Sequence, residues 1–222
     1  MKADYTNQTD IFDPDAFVDE IHLIGCGGIG SAVLFPLLKL GVRTIHVWDR
    51  DDVEPHNIPA QLIYRPSDIG MSKVDALCAF VERQEADCEV IPHDEFVTAE
   101  TPLEGIVISG VDNMAARQDI WTAISAQPWL VPLYMDGRIG EERLQLLTLN
   151  PSVDAEMEAY LNPWMFPQDE GMPLPCAART CIHPPTVLAG LVVTQLTLYM
   201  REEKPKENIM FNLKAMQPVI SQ

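Results

Sequence analysis

Residues 21–49 read IHLIGCGGIGSAVLFPLLKLGVRTIHVWD, and their order decides the fold. Ile21 to Ile24 is a short apolar run suited to a buried strand, and it passes directly into GCGGIG at 25–30. Ser31 to Leu40 carries apolar residues at helical spacing, with Gly41 placed to stop the helix. Thr44 to Trp48 is a second strand, and it ends at Asp49. Strand, glycine turn, helix and strand within about thirty residues make a βαβ unit, whose crossover is right-handed.

Outward from this unit the alternation continues. Residues 49–73, DRDDVEPHNIPAQLIYRPSDIGMSK, are polar and hold Pro55, Pro59 and Pro66. Most connections in compact domains run about 4–6 residues, so the length of this one is a functional hint. A helix is predicted from Ser72, its N-cap, to Gln84, then strands at Cys88–Ile91 and Gly105–Ser109, the latter ending in GVDN at 110–113. Ala115–Ala126 reads as a helix. Trp129–Tyr134 and Arg143–Leu149 read as strands separated by a turn within MDGRIGEE. Residues 150–183 are rich in proline yet apolar, and are read as an irregular crossover or cover. Pro184 opens a helix to Met200, and Asn208–Ala215 forms a last strand. The expected architecture is an N-terminal arm over 1–20, then one α/β domain over 21–222. That domain has a Rossmann-like βαβ fold, a mostly parallel central sheet, and a C-terminal helix and strand.

Composition narrows the function. The 222 residues include 15 Lys plus Arg against 33 Asp plus Glu, a formal charge of −18, with 47% hydrophobic residues. Direct nucleic-acid or membrane-surface binding is not expected, because it normally rests on clustered cations. No run of 18 apolar residues occurs, the N-terminus is polar and acidic, and five cysteines form no C-x-x-C pair. A cytoplasmic protein without a zinc site is expected. A local anion site stays open to such a chain, because backbone N–H groups hold phosphate without net positive charge.

GCGGIG supplies that site. Gly25, Gly27 and Gly30 satisfy G-x-G-x-x-G, which lets backbone approach a phosphate at a helix start. Asp49, at the end of the next strand, stands where an acid accepts hydrogen bonds from ribose hydroxyls. These residues suit a dinucleotide cofactor and ATP equally.

The extra Gly28, the run DRDDVEPHN, Lys73 and GVDN, in that order, resemble the ThiF/MoeB/HesA adenylyltransferases, the superfamily of the ubiquitin-activating enzymes. The resemblance covers about residues 21–150 and, more loosely, the helix at 184–200, as in a minimal single-domain member. A nicotinamide enzyme has no use for DRDDVEPHN. The resemblance implies ATP and magnesium as cofactors and activation of a carboxylate as an acyl-adenylate. The carboxylate would be the C-terminus of a ubiquitin-like or sulfur-carrier protein; the alternative acceptors are a peptide and a tRNA-linked small carboxylate. It further implies that Gly25, Gly27, Gly28 and Gly30 line the phosphates and that Asp49 holds the ribose. Asp51, Asn57 and Gln61 would face the nucleotide, Lys73 would reach the phosphates, and Asp112, beside Asn113, would hold magnesium. Cys176 matches the position of an acyl-accepting cysteine, with Cys181 its competitor. A homodimer is implied as well, and the apolar residues of 157–174 suit it. The pattern departs at Ala60, where the family carries arginine, and no arginine precedes Arg43. Arg50, Arg65 and Arg138 are the candidates that could compensate from other loops. Without one, the fold would be a catalytically impaired nucleotide-binding scaffold.

Overall fold

The computed structural model describes residues 3–166 and 181–221. The βαβ unit forms as the sequence predicts: β1 is Ile21–Ile24, α1 is Gly28–Leu40 and β2 is Thr44–Trp48. α1 ends at Gly41, whose φ of 95° is left-handed and whose N–H bonds back to the carbonyls of Leu37 and Leu38. α2 (Lys73–Arg83) is capped by Ser72, whose side chain accepts from the N–H of Asp75 at 3.2 Å. β3 (Glu89–His93), β4 (Ile106–Ser109) and α3 (Met114–Ala126) follow. β5 (Leu133–Gly140), β6 (Arg143–Leu149), α4 (Asp154–Trp164), α5 (His183–Met200), β7 (Asn208–Asn212) and β8 (Gln217–Ser221) complete the chain.

The strands form a single sheet in the order β3-β2-β1-β4-β5-β6-β7-β8. The run from β3 to β5 is parallel, and β6, β7 and β8 are added antiparallel. α1, α2 and α5 cover one face, packing Val33, Leu34, Leu77 and Leu188 on Leu23, Ile45 and Ile108. α3 and α4 cover the other, where Ile120, Trp121 and Tyr160 meet Ile24, Val107 and Tyr134. Both outermost strands carry a proline, Pro92 in β3 and Pro218 in β8.

Four expectations are corrected. The strand placed at 129–134 begins only at Leu133, because Pro128–Leu130 winds into a 3₁₀ turn, and it runs on to Gly140 through the segment read as a turn. The turn itself is confined to Glu141 and Glu142, with φ of 54° at Glu141. Residues 154–164, read as irregular, are helical; Asp154 and Glu156 in the first turn suit the helix dipole. The last strand stops at Asn212 and turns back as β8.

The first twenty residues are packed against the domain rather than extended from it. Phe12 and Phe17 are buried in the α1 face, with ring centroids 5.1 Å apart. Gln8 Nε2 donates to the carbonyl of Leu40 at 2.7 Å, and a Cβ at Gly41 would lie 2.8 Å from that of Pro14.

Three histidines from adjacent strands lie ring on ring. His22 of β1 stacks on His46 of β2 with centroids 4.4 Å apart, and His93 of β3 lies 3.6 Å from Trp48. Trp48 Nε1 donates to His22 Nδ1 at 3.1 Å. His46 bonds His93 through Nδ1 and Glu20 through Nε2, each at 3.0 Å.

Candidate nucleotide site

The glycine turn follows β1 and the GVDN loop follows β4, its parallel neighbour, so both lie at the carboxyl edge of the sheet. Two of the glycines are there for packing. Gly25 has φ of 89°, and a Cβ on it would come 3.0 Å from the backbone of Gly110. A Cβ on Gly30 would collide with the Gly25 carbonyl. Gly27 and Gly28 differ, since an added Cβ would meet only Gln61 Nε2 at 4.0 Å and Ile139 Cδ1 at 3.7 Å respectively. They stand open at the start of α1, which has no side-chain cap and no acid in its first turn. A helix start left this way is suited to an anion.

Asp49 closes one side. Its carboxylate accepts from the N–H of Cys26 at 2.7 Å and of Asp51 at 2.9 Å, which locks the glycine turn to the end of β2. Tyr64 OH adds a bond to the Cys26 carbonyl at 2.7 Å. Burial raises the pKa of Asp49, and Lys73 and the two N–H groups offset only part of that. Lys73 is 7% exposed, with Nζ 2.7 Å from Asp51 Oδ2 and 3.8 Å from Asp49 Oδ2. Burial alone would lower its pKa, but the two carboxylates outweigh it and raise it, so the ammonium stays charged. The backbone N–H of Lys73 also bonds the Asp51 carbonyl at 2.9 Å, which folds the loop 49–73 back on itself.

Within that loop Asn57 is buried and its Oδ1 accepts from the N–H of Glu54 at 2.8 Å, so this oxygen shapes the loop. Among the described residues Gln61 Oε1 is buried without a hydrogen-bond partner, on a side chain whose Nε2 is the atom facing Gly27. An orphaned acceptor beside an open glycine cradle fits a ligand that brings hydroxyl or amino donors, as a nucleoside does. At the end of β4, Asn113 caps α3 by accepting from the N–H of Ala116 at 2.8 Å. Asp112 is exposed, and among the described residues its Oδ1 accepts the side-chain amide of Asn113, at 3.1 Å. A carboxylate so placed suits magnesium held jointly with phosphates. Among the described residues no cluster of three metal-ligating side chains forms a cage by itself.

Sequence reasoning missed the network beneath this loop. Arg117 of α3 and Arg138 of β5, both nearly buried, grip the fully buried Asp136 of β5. Burial opposes ionisation of Asp136, but the two guanidiniums win and hold its pKa below the usual carboxylate value. Arg138 also donates to the Trp164 carbonyl at 3.0 Å, so its fork is spent away from the glycine turn. Arg50 lies over the exposed ring of Phe96, 6.0 Å from its centroid. The spacing VDNMAAR was the available signal, since it puts an arginine one turn into a helix whose start it can reach back to.

Cys176 lies outside the described residues. Cys26 is fully buried, and burial raises its pKa well above that of a free thiol; burial and Asp87 push Cys88 up to about 12. Cys181 is exposed, with its sulfur 2.7 Å from His183 Nδ1 at the start of α5. That start shares the carboxyl edge. Leu188 meets Gly137 close to Ile29 of α1, and Tyr199 at the far end bonds Asp19, which precedes β1.

A doubly wound sheet with a glycine turn, a buried acid and a buried lysine at one edge is the arrangement in which α/β proteins bind nucleotides. The family model for the ThiF family matches residues 16–218, and the chain belongs to that family. It is 32% identical over 149 residues to the NEDD8-activating enzyme E1 catalytic subunit of Caenorhabditis elegans, covering 64% of this chain and 32% of that protein. It is 28% identical to the adenylyltransferase and sulfurtransferase MOCS3 of Aedes aegypti, over 44% of this chain and 23% of that one. A tRNA threonylcarbamoyladenosine dehydratase of Bacillus subtilis is 37% identical over 36% of this chain and 32% of its own length. The chain thus spans a third or less of these relatives. The fold is shared with E. coli MccB crystallised with succinimide, with a TM-score of 0.74, 15% identity, and coverage of 98% of this chain and 67% of that one. PaaA gives a TM-score of 0.72 at 18% identity, covering 94% and 74%.

Proposed function

We propose that this chain is an ATP-dependent adenylyltransferase that activates the C-terminal carboxylate of a ubiquitin-like or sulfur-carrier protein. The observation that carries the reading is the open start of α1 at Gly27 and Gly28, with the orphaned Gln61 Oε1 beside it and Lys73 buried nearby. A carboxylate oxygen attacks the α-phosphorus of ATP, the bond to the pyrophosphate oxygen breaks, and acyl-adenylate and pyrophosphate result. Two anions must meet for this. The α1 N–H groups and the Lys73 ammonium supply positive potential for the phosphates, Asp49 orients the ribose, and Asp112 would hold magnesium, which would supply further charge to offset that of the phosphates. Relatives named for NEDD8 activation and for adenylyl and sulfur transfer support the acceptor class.

The adenylate can pass to a thiol. Cys176 is the choice by family position. Cys181 is its competitor: with its sulfur 2.7 Å from His183 Nδ1, its proton would pass to that nitrogen, the thiolate would attack the acyl carbon, and AMP would leave. A homodimer belongs to the same reading, checked by sedimentation at micromolar concentration.

A second reading, a nucleotide-binding scaffold without chemistry, is favoured by Ala60 together with the burial of Arg138 against Asp136. ATP–pyrophosphate exchange, with and without candidate carriers, decides between them. Wild type should exchange, Lys73→Ala should lose about 10²–10³-fold, and Asp112→Ala should lose the magnesium-dependent part of ATP binding. Binding without exchange under any carrier selects the scaffold. A thiol-sensitive conjugate lost in Cys176→Ala or in Cys181→Ala assigns the acceptor.

A further inference from the structure

We infer that Arg117 is a positioning residue that holds Asp112 in place for the metal, an inference that rests on the proposed adenylation. Asp112 is exposed, and among the described residues its side chain bonds its neighbour Asn113, so its aim depends on the peptide that carries it. Arg117 grips that peptide on both sides. Its Nη2 donates to the carbonyl of Val111 at 2.6 Å and its Nη1 to that of Asn113 at 3.3 Å, the residues directly before and after Asp112. The same Nη2 reaches the Gly137 carbonyl at 3.3 Å, and Nε donates to Asp136 Oδ1 at 3.0 Å.

Each part has a physical reason. A guanidinium is planar, permanently charged and forked, so one side chain can hold three carbonyls and a carboxylate in fixed relation; an ammonium lacks that planar fork. Arg117 is 5% exposed and Asp136 0%, so neither bond competes with water. Asp136 has its own anchors, because Oδ2 accepts from Arg138 Nε at 2.9 Å, from Arg138 Nη2 at 2.6 Å and from Tyr160 OH at 3.2 Å. The loop after β4 is thereby tied to β5, and through Arg138 to the carbonyl of Trp164 at the end of α4. Outer partners that orient a metal ligand typically control metal affinity about 10–100-fold.

The test compares Arg117→Lys with Arg138→Lys, which disturbs the far side of Asp136 but keeps both carbonyl bonds. Manganese serves as a spectroscopic stand-in for magnesium, added to the protein with a non-hydrolysable ATP analogue. Arg117→Lys should weaken manganese binding by about tenfold or more and leave metal-free analogue binding within about twofold, while Arg138→Lys should keep wild-type manganese affinity. Hydrogen exchange should quicken at the amides of Gly110 and Ala116, which bond the Ile24 carbonyl and Asn113 Oδ1 at either end of the loop, in Arg117→Lys alone. Unchanged manganese affinity in a folded Arg117→Lys, or equal losses in both variants, would overturn the assignment. If wild type binds no manganese with the analogue, the metal role of Asp112 fails separately. Exchange at Gly110 and Ala116 then still judges Arg117, and wild-type rates in Arg117→Lys reject it.

Discussion

Histidine 22 shows what a single buried base does to a chain otherwise dominated by acids. It is packed against His46 and His93, accepts from Trp48 Nε1, and lies in a group that also holds Glu20 and the backbone of Glu104. Burial first, then the two neighbouring histidines, lower its pKa to about 3, and His93 is lowered as well, by burial and His46. The unfolded chain takes up protons near the ordinary value of about 6.5 while folded His22 stays neutral. Its stabilising contribution is therefore complete above about pH 6.5 and falls by up to about 1.4 kcal/mol per pH unit as the pH drops toward 3. Urea melts at pH 7 and pH 5.5 should differ in this sense, and His22→Gln should flatten the difference. An equal slope in the variant would place the proton uptake elsewhere. At this scale the sequence was legible where one residue's chemistry is local, as with Asp49 and Gly27. It was illegible for the pairing of Arg117 with Asp136, 19 positions apart on α3 and β5, because the spacing VDNMAAR points Arg117 at its own loop and nothing announces the buried acid.

Elements were read correctly where their ends carry chemistry. Ser72 caps α2 and Gly41 closes α1, and both ends came from the sequence. β5 was misread because Asp136 and Arg138 look like turn residues until their mutual neutralisation lets them be buried. α4 was hidden by Pro163, which the helix accommodates with a break in its dihedrals at Asn162. The turn between β7 and β8 runs from Leu213 to Met216, and its one turn-type residue, Asn212, lies at the end of β7, where its Oδ1 accepts from the N–H of Ala215 at 3.1 Å. α5 offers a clean test. Gly190 sits exposed in its interior, and a Cβ there would meet nothing within 4 Å. Gly190→Ala should stabilise the fold by roughly 0.5–1 kcal/mol in urea denaturation, because alanine loses less backbone entropy on folding. A destabilised variant would mean that this helix face is covered in solution.

The molecule as a whole is one sheet wrapped on two sides, with its N-terminal segment serving as a strap across the end of α1. Phe12 is 1% exposed, so Phe12→Ala should cost about 3–5 kcal/mol, as for other buried phenylalanines. Thermal melting checks this, and a cost under about 1 kcal/mol would show a segment that detaches before the domain unfolds. The prolines of the outermost strands bear on a different property. The N–H of Glu89 points inward to the Arg43 carbonyl, so alternation along β3 turns the nitrogen of Pro92 outward, where it has no proton to offer. Pro218 removes a donor from β8 at the opposite margin. Eight strands with free flanks would otherwise template the sideways addition of further chains. With a missing donor at each margin and a formal charge of −18 repelling its copies, this protein carries two independent defences against growing into a fibre.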